Sequence, residues 1–258
     1  NTFRYNLTAL PVDPTTQGDG LVLLLHFDNR SEYGENSTKV YDFSGNGNDA
    51  YCNATICPNW TSSGKFAGGF HFNGSEIDGG HPYLVVNDSE EINATHISVS
   101  AWFKMNSFLS TGQQRIINKQ NSANCSWGIE IMHYIAGRYM VSTPLKANAD
   151  YAVFHTGNCN TTWANVNSMA EVTPGNWYHV VGTDDGSTVK LYINGNLENS
   201  YPSFGKGHNI TSPVIIGSHG AARAGDLAFN GTIDEVAIWN RSLSHEEILS
   251  LYQLKAGT

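Results

Sequence analysis

Carboxylates that could carry out catalysis are few and scattered in this chain. Retaining glycoside hydrolysis needs two carboxyl groups about 5 Å apart, which alternate residues of one strand can supply. The run Trp127–His133 contains only Glu130, and the adjacent Asp234 and Glu235 are predicted to point to opposite faces of a strand. The sequence has no Gly-x-Ser-x-Gly motif, and His245 is not followed by a second histidine at metalloprotease spacing. We therefore expect a protein that is not an enzyme.

The segment around Asp234 is predicted to be a strand followed by a helix. Apolar residues occur on both predicted faces of Gly231–Asn240, which is typical of an inner strand. Ser244 and Glu247 have capping-box spacing, and apolar residues recur at helical spacing up to Gln253. Strict alternation would place Ile233, Glu235, Ala237 and Trp239 on one face, and Asp234, Val236, Ile238 and Asn240 on the other.

Composition and turn signals predict an all-β fold. Of the 258 residues only 14% are charged, and short β-rich runs alternate with turns such as Asp185-Gly186 and Asn194-Gly195. These features indicate an antiparallel sandwich of two sheets with one short C-terminal helix. The net charge of −9 gives no basic footprint for nucleic acid or anionic lipid. The longest aliphatic run, Leu21–Leu25, is too short to be inserted across a bilayer.

We divide the chain into residues 1–19, an N-terminal strand and linker, and residues 20–258, one domain with an irregular insertion at about 145–169. Phe3, Tyr5 and Leu7 alternate with polar residues, as in a half-buried extra strand. Such a strand needs a partner edge, either in its own chain or in another copy. These three residues are our candidates for an assembly contact.

Four cysteines and many glycosylation sequons favour an extracellular, secreted protein. Of the three possible disulfide connectivities we favour Cys52–Cys57 with Cys125–Cys159, the alternative being free buried thiols. The chain begins with Asn1, which would fit the removal of a signal peptide. Thirteen Asn-x-Ser/Thr sequons occur where roughly four or five would be expected by chance, so we predict covalent N-glycans. The sequons begin at Asn6, Asn29, Asn36, Asn53, Asn59, Asn73, Asn87, Asn93, Asn124, Asn160, Asn209, Asn230 and Asn240.

Nine short motifs, in order, resemble the laminin-G-like, concanavalin-A-like jelly-roll domain in its bacterial and archaeal extracellular form. The resemblance extends from about Gly20 to Leu254. The motifs are Leu24-Leu-His-Phe-Asp28, Asp42-Phe-Ser-Gly-Asn-Gly-Asn48, Gly64-Lys-Phe66, Phe70-His-Phe-Asn-Gly74, Ile97-Ser-Val-Ser-Ala-Trp102, Trp177-Tyr-His-Val180, Leu191-Tyr-Ile-Asn-Gly195, Ile215-Ile-Gly217 and the Gly231–Asn240 strand.

The resemblance implies two packed antiparallel sheets and, in many members, a structural calcium ion (Ca2+). Calcium prefers carboxylate and carbonyl oxygens at strand ends. By this resemblance, Asp28 and Asp234 are expected to meet near Phe72–Gly74, where the backbone carbonyls of Phe72 and Gly74 would complete the site. The alternative is that Asp234 only hydrogen-bonds a turn.

Two functions are consistent with the sequence. The first is a glycosylated structural or adhesive surface subunit that assembles with other copies of itself, as a filament or surface layer, through the N-terminal strand. The second is a calcium-dependent, lectin-like module that binds extracellular glycans. Trp60, Trp163, Tyr151 and Tyr201 could stack on sugars in the second case, although ordinary packing would also use them. A carbohydrate-active enzyme is a distant third.

Overall fold

The computed structural model describes residues 20–74, 81–108, 112–120, 125–134, 145–158, 163–204, 210–219 and 227–254. Sixteen strands and one α-helix are present in these ranges. The strands are β1 (Leu21–Leu25), β2 (Lys39–Val40), β3 (Ala50–Tyr51), β4 (Asn59–Thr61), β5 (Gly69–Asn73), β6 (Leu84–Val86), β7 (Ile97–Met105), β8 (Gln113–Gln120), β9 (Cys125–Tyr134), β10 (Ala149–Asn158), β11 (Trp163–Asn167), β12 (Trp177–Asp184), β13 (Thr188–Ile193), β14 (Asn196–Pro202), β15 (Val214–Ile216) and β16 (Asn230–Trp239). The α-helix is α1 (His245–Gln253), and short 3-10 helices span Ser31–Tyr33 and Glu90–Ile92.

The strands form two antiparallel sheets of eight strands each. The first sheet has the order β14-β13-β12-β7-β16-β5-β4, and β1 pairs with the second half of β16. The second sheet has the order β11-β10-β9-β8-β15-β6-β3-β2. This arrangement confirms the predicted all-β sandwich with one short C-terminal helix.

The hydrophobic core lies between the two sheets. Alternate residues of β9, namely Trp127, Ile129 and Ile131, are fully buried in it. A smaller apolar cluster covers the outer face of the first sheet, where Leu24 and Trp239 pack against Ile248 and Leu251 of α1. The helix therefore covers the outer face of the first sheet.

The predicted turns and the predicted helix cap occur at the expected residues. Asn194 and Gly195 both have positive φ, 51° and 80°, and they connect β13 to β14 as a tight hairpin requires. The Ser244 hydroxyl accepts a hydrogen bond from the Glu247 amide at 3.2 Å, and the Glu247 carboxylate accepts one from the Ser244 amide at 2.7 Å. The helix thus begins with the capping box that the sequence predicts.

The segment 145–169 is more regular than the sequence predicts. It contains β10, which pairs with β9 along ten residues, and β11, which pairs with β10. The polar composition of residues 158–167 concealed β11, because an edge strand can be polar and still be fully hydrogen-bonded on one side. The predicted strand over Phe3, Tyr5 and Leu7 lies outside the described residues and stays a prediction.

Candidate functional site

Polar side chains form a row across β8, β9 and β10 on the outer face of the second sheet. The register pairs Arg115 with Glu130. It places His155 opposite Gly128, which is two residues from Glu130 along β9 and on the same face. Arg115 Nη1 lies 2.5 Å from Glu130 Oε2, and the Gln113 amide donates to Glu130 Oε1 at 3.1 Å. Arg115 Nη1 also lies 3.2 Å from His155 Nδ1. We call these four residues, Gln113, Arg115, Glu130 and His155, the polar row.

The alternation of β9 explains why Glu130 faces away from the core. Since its neighbours Ile129 and Ile131 lie in the core, Glu130 must project from the opposite face. Gly128 is required beside it, because a Cβ atom there would lie 2.9 Å from His155 Cε1. The missing side chain lets the imidazole lie across the neighbouring strand.

The polar row is buried, which sets its protonation state. Relative exposure is 9% for Arg115, 4% for Glu130 and 2% for His155. Burial raises the pKa of Glu130, and the Arg115 guanidinium partly opposes that shift. Burial and the positive charge of Arg115 hold the pKa of His155 well below its ordinary value, so His155 is neutral and accepts the hydrogen bond from arginine.

One donor of this buried row is not used. Arg115 Nε is buried and makes no hydrogen bond within the part of the chain that the structure describes. A buried donor without a partner costs free energy, on the order of 1–3 kcal/mol. Arg115 Nε is therefore an unsatisfied donor of the polar row in the described part of the structure.

Glu130 is the only carboxylate in the polar row. The nearest carboxylate of β10, Asp150, pairs in register with His133 and accepts from its Nδ1 at 2.7 Å. Asp150 is three residues from the partner of Glu130, about 10 Å along the strand, and points to the other face. Among the described residues of β8, β9 and β10, no second carboxylate therefore faces Glu130 at the distance that glycoside hydrolysis uses.

Asp234 and Glu235 do not face opposite sides of the first sheet, which corrects the sequence prediction. A β-bulge interrupts β16 between Asp234 and Ala237, and Glu235 adopts a positive φ of 49°. The extra residue restores Val236 to the core side, where Ile233 also lies. Both carboxylates consequently lie close together on the outer side.

The two carboxylates at the bulge are buried but well supplied with donors. Asp234 accepts hydrogen bonds from the amides of Lys65 at 2.7 Å, Phe66 at 3.2 Å and Glu235 at 2.8 Å. Burial and the charge of Glu235 raise the pKa of Asp234 well above its ordinary value, and burial also raises the pKa of Glu235. Burial alone would lower the pKa of His26, but Glu235, 2.8 Å from His26 Nδ1, outweighs it and raises that pKa.

The structure brings together only part of the predicted calcium ligand set. Asp28 and Asp234 both bind the Gly64–Gly68 turn, since Asp28 accepts from the Gly68 amide at 3.0 Å. Ile233 pairs with Phe70, so Phe72 and Gly74 lie about 10 Å and about 16 Å along the strand from Asp234. Within the described ranges, no group of three or more His, Cys, Asp or Glu residues is arranged to hold a metal ion. Phe72 and Gly74 are thus not placed beside Asp234, and calcium binding stays a prediction.

The aromatic residues predicted for sugar stacking are placed differently from one another. Trp60 and Tyr201 are 41% and 39% exposed, whereas Tyr151 is only 2% exposed and contributes to the second sheet. The Trp60 indole donates to the Phe27 carbonyl at 2.9 Å, which holds its ring on the surface. The side chain of Trp163 is outside the described part of the structure. Trp60 and Tyr201 therefore stay as candidates, and Tyr151 does not.

The described residues include some of the predicted cysteines and sequons. Cys52 and Cys57 form the predicted disulfide, with Cα atoms 5.2 Å apart. Cys125 pairs through its backbone with Asn158, but Cys159 and the Cys125 side chain lie outside the described residues. The described sequon asparagines are exposed at Asn29, Asn36, Asn53, Asn59, Asn87 and Asn240 and half-buried at Asn73, Asn93 and Asn230. Asn6, Asn124, Asn160 and Asn209 are not among the described residues.

The chain belongs to the concanavalin A-like lectin/glucanases superfamily, because the Laminin_G_3 family model matches residues 78–249. A comparison with curated protein sequences finds no match. Within the described ranges, no helix is long and apolar enough to cross a membrane.

Several solved domains share this fold. Domain 4 of AbnA, an extracellular arabinanase of Geobacillus stearothermophilus solved with arabinotriose, is 20% identical with a TM-score of 0.63, and the match covers 91% of this chain and 98% of that domain. The binding domain of Paraclostridial Mosquitocidal Protein 1 is 17% identical with a TM-score of 0.64, and the match covers 91% of this chain and 52% of that one. The binding domain of botulinum neurotoxin DC, solved with SialylT, is 18% identical with a TM-score of 0.64, covering 91% and 51%. The chain thus spans about half the length of the two toxin domains that it matches.

The sequence did not identify most of the polar row. In the sequence Glu130 stands out only as a lone carboxylate, and no local pattern points to Gln113, Arg115 or His155. The signal present is the dense polar composition of Gln113–Gln120, where two apolar residues stand among six polar ones. A buried strand with that composition needs hydrogen-bond partners on its polar face.

Proposed function

We propose that this chain is a non-catalytic, extracellular module that binds a glycan on the outer face of its second sheet. The observation that carries the proposal is the polar row, a buried arginine–carboxylate pair with an unused Nε donor on the face away from the core. The matched domains of similar fold are mainly binding domains, which supports a binding role.

The chemistry of the row suits sugar hydroxyl groups. A hydroxyl both donates and accepts, so one hydroxyl can accept from Arg115 Nε while it donates to a Glu130 oxygen. Because the guanidinium and the carboxylate are planar, the directions of their hydrogen bonds are fixed. Only a sugar whose hydroxyl groups match those directions would bind well. Gln113 is only partly buried and extends the same donor and acceptor pattern toward solvent.

Binding without hydrolysis follows from the single carboxylate. A glycosidase needs a second carboxylate to act as nucleophile or as base. In the described part of the second sheet, Asp150 is too far away and is already paired with His133. We therefore expect bound oligosaccharides to remain intact during long incubations.

The proposed extracellular location is supported by the disulfide Cys52–Cys57. Disulfides persist in oxidising compartments and are rare in the cytosol. The exposed sequons are consistent with passage through a glycosylating secretory route.

The proposal is tested by glycan-array screening, followed by calorimetric titration of the oligosaccharides that bind. The variants Arg115→Lys, which removes the fork and Nε, and Glu130→Gln, which removes the charge, should each weaken binding at least about tenfold, or about 1.4 kcal/mol. The control Lys146→Gln removes an exposed ion pair with Glu171 and should bind normally.

Thermal melting of each variant shows whether it is folded, so that lost binding is not confused with unfolding. If the folded variants Arg115→Lys and Glu130→Gln bind the glycan as tightly as the wild type, the glycan does not bind at the polar row. An array without any bound glycan would end the proposal.

Self-assembly through the N-terminal strand stays a separate prediction. Phe3, Tyr5 and Leu7 lie outside the described residues, and no contact in the described part of the chain bears on it.

A further inference from the structure

The amine of Lys119 lies on the core side of the sandwich. In the second sheet Lys119 pairs with Trp127 of β9 and with Val214 of β15, which both belong to the core. Its side chain is completely buried, with 0% exposure. Lysine is rarely found fully buried, and when it is, its charge requires partners.

The partners of this amine are a carboxylate and a backbone carbonyl. Nζ donates to Asp88 Oδ1 and, at 2.5 Å, to the Ser212 carbonyl. Asp88 follows β6 and is 25% exposed in its side chain. Burial lowers the pKa of Lys119, and the opposing charge of Asp88 does not restore it. The amine is therefore closer to its neutral, nucleophilic form than an exposed lysine is.

A third side chain completes the cluster. The Asn93 amide donates to the same Asp88 Oδ1 at 3.1 Å. Its own carbonyl oxygen is buried and has no hydrogen-bond partner within the described residues. Asn93 thus holds the Asp88 carboxyl group in place against the lysine.

We propose that Lys119 and Asp88 condense to form an isopeptide bond inside the folded chain. One proton moves from the ammonium to the carboxylate, which produces a neutral amine and a carboxylic acid. The nitrogen lone pair then attacks Cγ of Asp88, and the C–N bond forms while one C–O bond breaks. The nitrogen gives a second proton to the departing hydroxyl, and one water leaves. No group is oxidised or reduced.

The neighbours of the pair are arranged for this step. The Asn93 amide donates to Oδ1 of Asp88, the oxygen that also accepts from Nζ, and so orients the carboxyl group toward the amine. The product retains one N–H, which can still donate to the Ser212 carbonyl. The partly exposed side of Asp88 gives the water a way out.

Holding the two groups together in a water-poor site supplies the effective concentration that the same groups lack in solution. The bond would join β8 to the segment between β6 and the Glu90–Ile92 helix.

Mass spectrometry tests the proposal on the full chain secreted into a bacterial periplasm, where N-glycans are absent. After reduction of disulfides, the intact protein should weigh less than its sequence by one water molecule. Proteolysis should release one linked pair of peptides that carry Lys119 and Asp88. The linkage must be shown directly, because a succinimide at Asp185-Gly186 would lose the same mass without joining two peptides.

Matched variants distinguish this bond from other reactions that lower the mass of the protein. Lys119→Met and Asp88→Ala should show the full mass and no linked pair, whereas the exposed-lysine control Lys146→Met should lose the water as the wild type does. The wild-type measurement decides the question even if the two buried variants do not fold. The full mass after prolonged incubation at neutral pH would overturn the proposal. So would the loss of ammonia with a link to Asn93, because the partner would then be wrong.

Discussion

His179 should make the protein sensitive to mild acid. The imidazole lies on the outer face of the first sheet, stacked on Trp102 with ring centroids 5.0 Å apart, and Tyr252 lies parallel to it. Its Nε2 is 2.9 Å from the Ser100 hydroxyl, and its Nδ1 is buried without a hydrogen-bond partner among the described residues. Burial, together with the charge of Lys65, lowers the pKa of His179 to about 3.

The size of the effect follows from linkage. In the unfolded chain the pKa of histidine is about 6.5, so below that pH the unfolded state binds a proton that the folded state does not. The free energy of unfolding therefore falls as the pH drops, by about 1.4 kcal/mol per unit, until the folded pKa is reached. Between pH 7 and pH 5 the loss from His179 is about 2 kcal/mol.

The variant His179→Gln removes the titration but keeps a polar group near Ser100. Guanidinium unfolding of wild type and variant at pH 7 and pH 5 measures the difference directly. Between pH 7 and pH 5, we expect the free energy of unfolding to fall by about 2 kcal/mol less in the variant than in the wild type. In the control variant His96→Gln, which changes an exposed histidine, the free energy of unfolding should fall by as much as in the wild type. If His179→Gln shows the same pH dependence as the wild type, the inferred desolvation of this imidazole is wrong.

Three further predictions concern modification, calcium and assembly. In protein secreted from a glycosylating host, glycopeptide analysis should find a glycan on Asn36, because its exposed amide nitrogen donates to no described residue. Asn230 should carry no glycan, because its amide nitrogen donates to the Ser107 hydroxyl at 2.7 Å. A glycan on Asn230 would contradict this reasoning. If calcium binds at Asp28, calcium at 1,000 times its dissociation constant should stabilise the fold by about 4 kcal/mol relative to chelator, and Asp28→Asn should abolish that gain; equal melting temperatures would end the calcium hypothesis. If the N-terminal strand drives assembly, deletion of residues 1–12 should convert polymers to monomers in light scattering, and unchanged polymers would refute it.

Local signals determine which parts of the fold can be predicted. The β12–β13–β14 meander follows from Gly186 and Gly195, because only residues that tolerate positive φ can form those short turns. The start of α1 follows from Ser244 and Glu247, whose side chains cap each other's backbone amides. These elements could be predicted because the residues that cause them are neighbours in sequence.

The candidate site depends on neighbours that are distant in sequence. Arg115, Glu130 and His155 belong to three separate strands, and only the pairing of those strands brings them into one row. Nothing within any single strand shows which residue of the next strand lies opposite. A lone glutamate could therefore be noticed, but its arginine and histidine partners could not.

The bulge in β16 shows the same limit within a single strand. Apolar residues occupy both predicted faces of β16. An extra residue at the bulge moves every later side chain to the opposite face, but the sequence still shows apolar residues on both faces, so the change leaves no sign in the sequence pattern. The exchange has a structural cause: β16 pairs with β5 up to Ile233 and with β1 from Val236 onward, and the strand must bend between the two partners. Because the bend occurs at Asp234 and Glu235, both carboxylates emerge on one side, and the glycine-rich turn at Gly64–Gly68 supplies the amides that Asp234 needs. Exchange of partner strands, rather than metal binding, is thus sufficient to explain why two acidic residues are buried at this position.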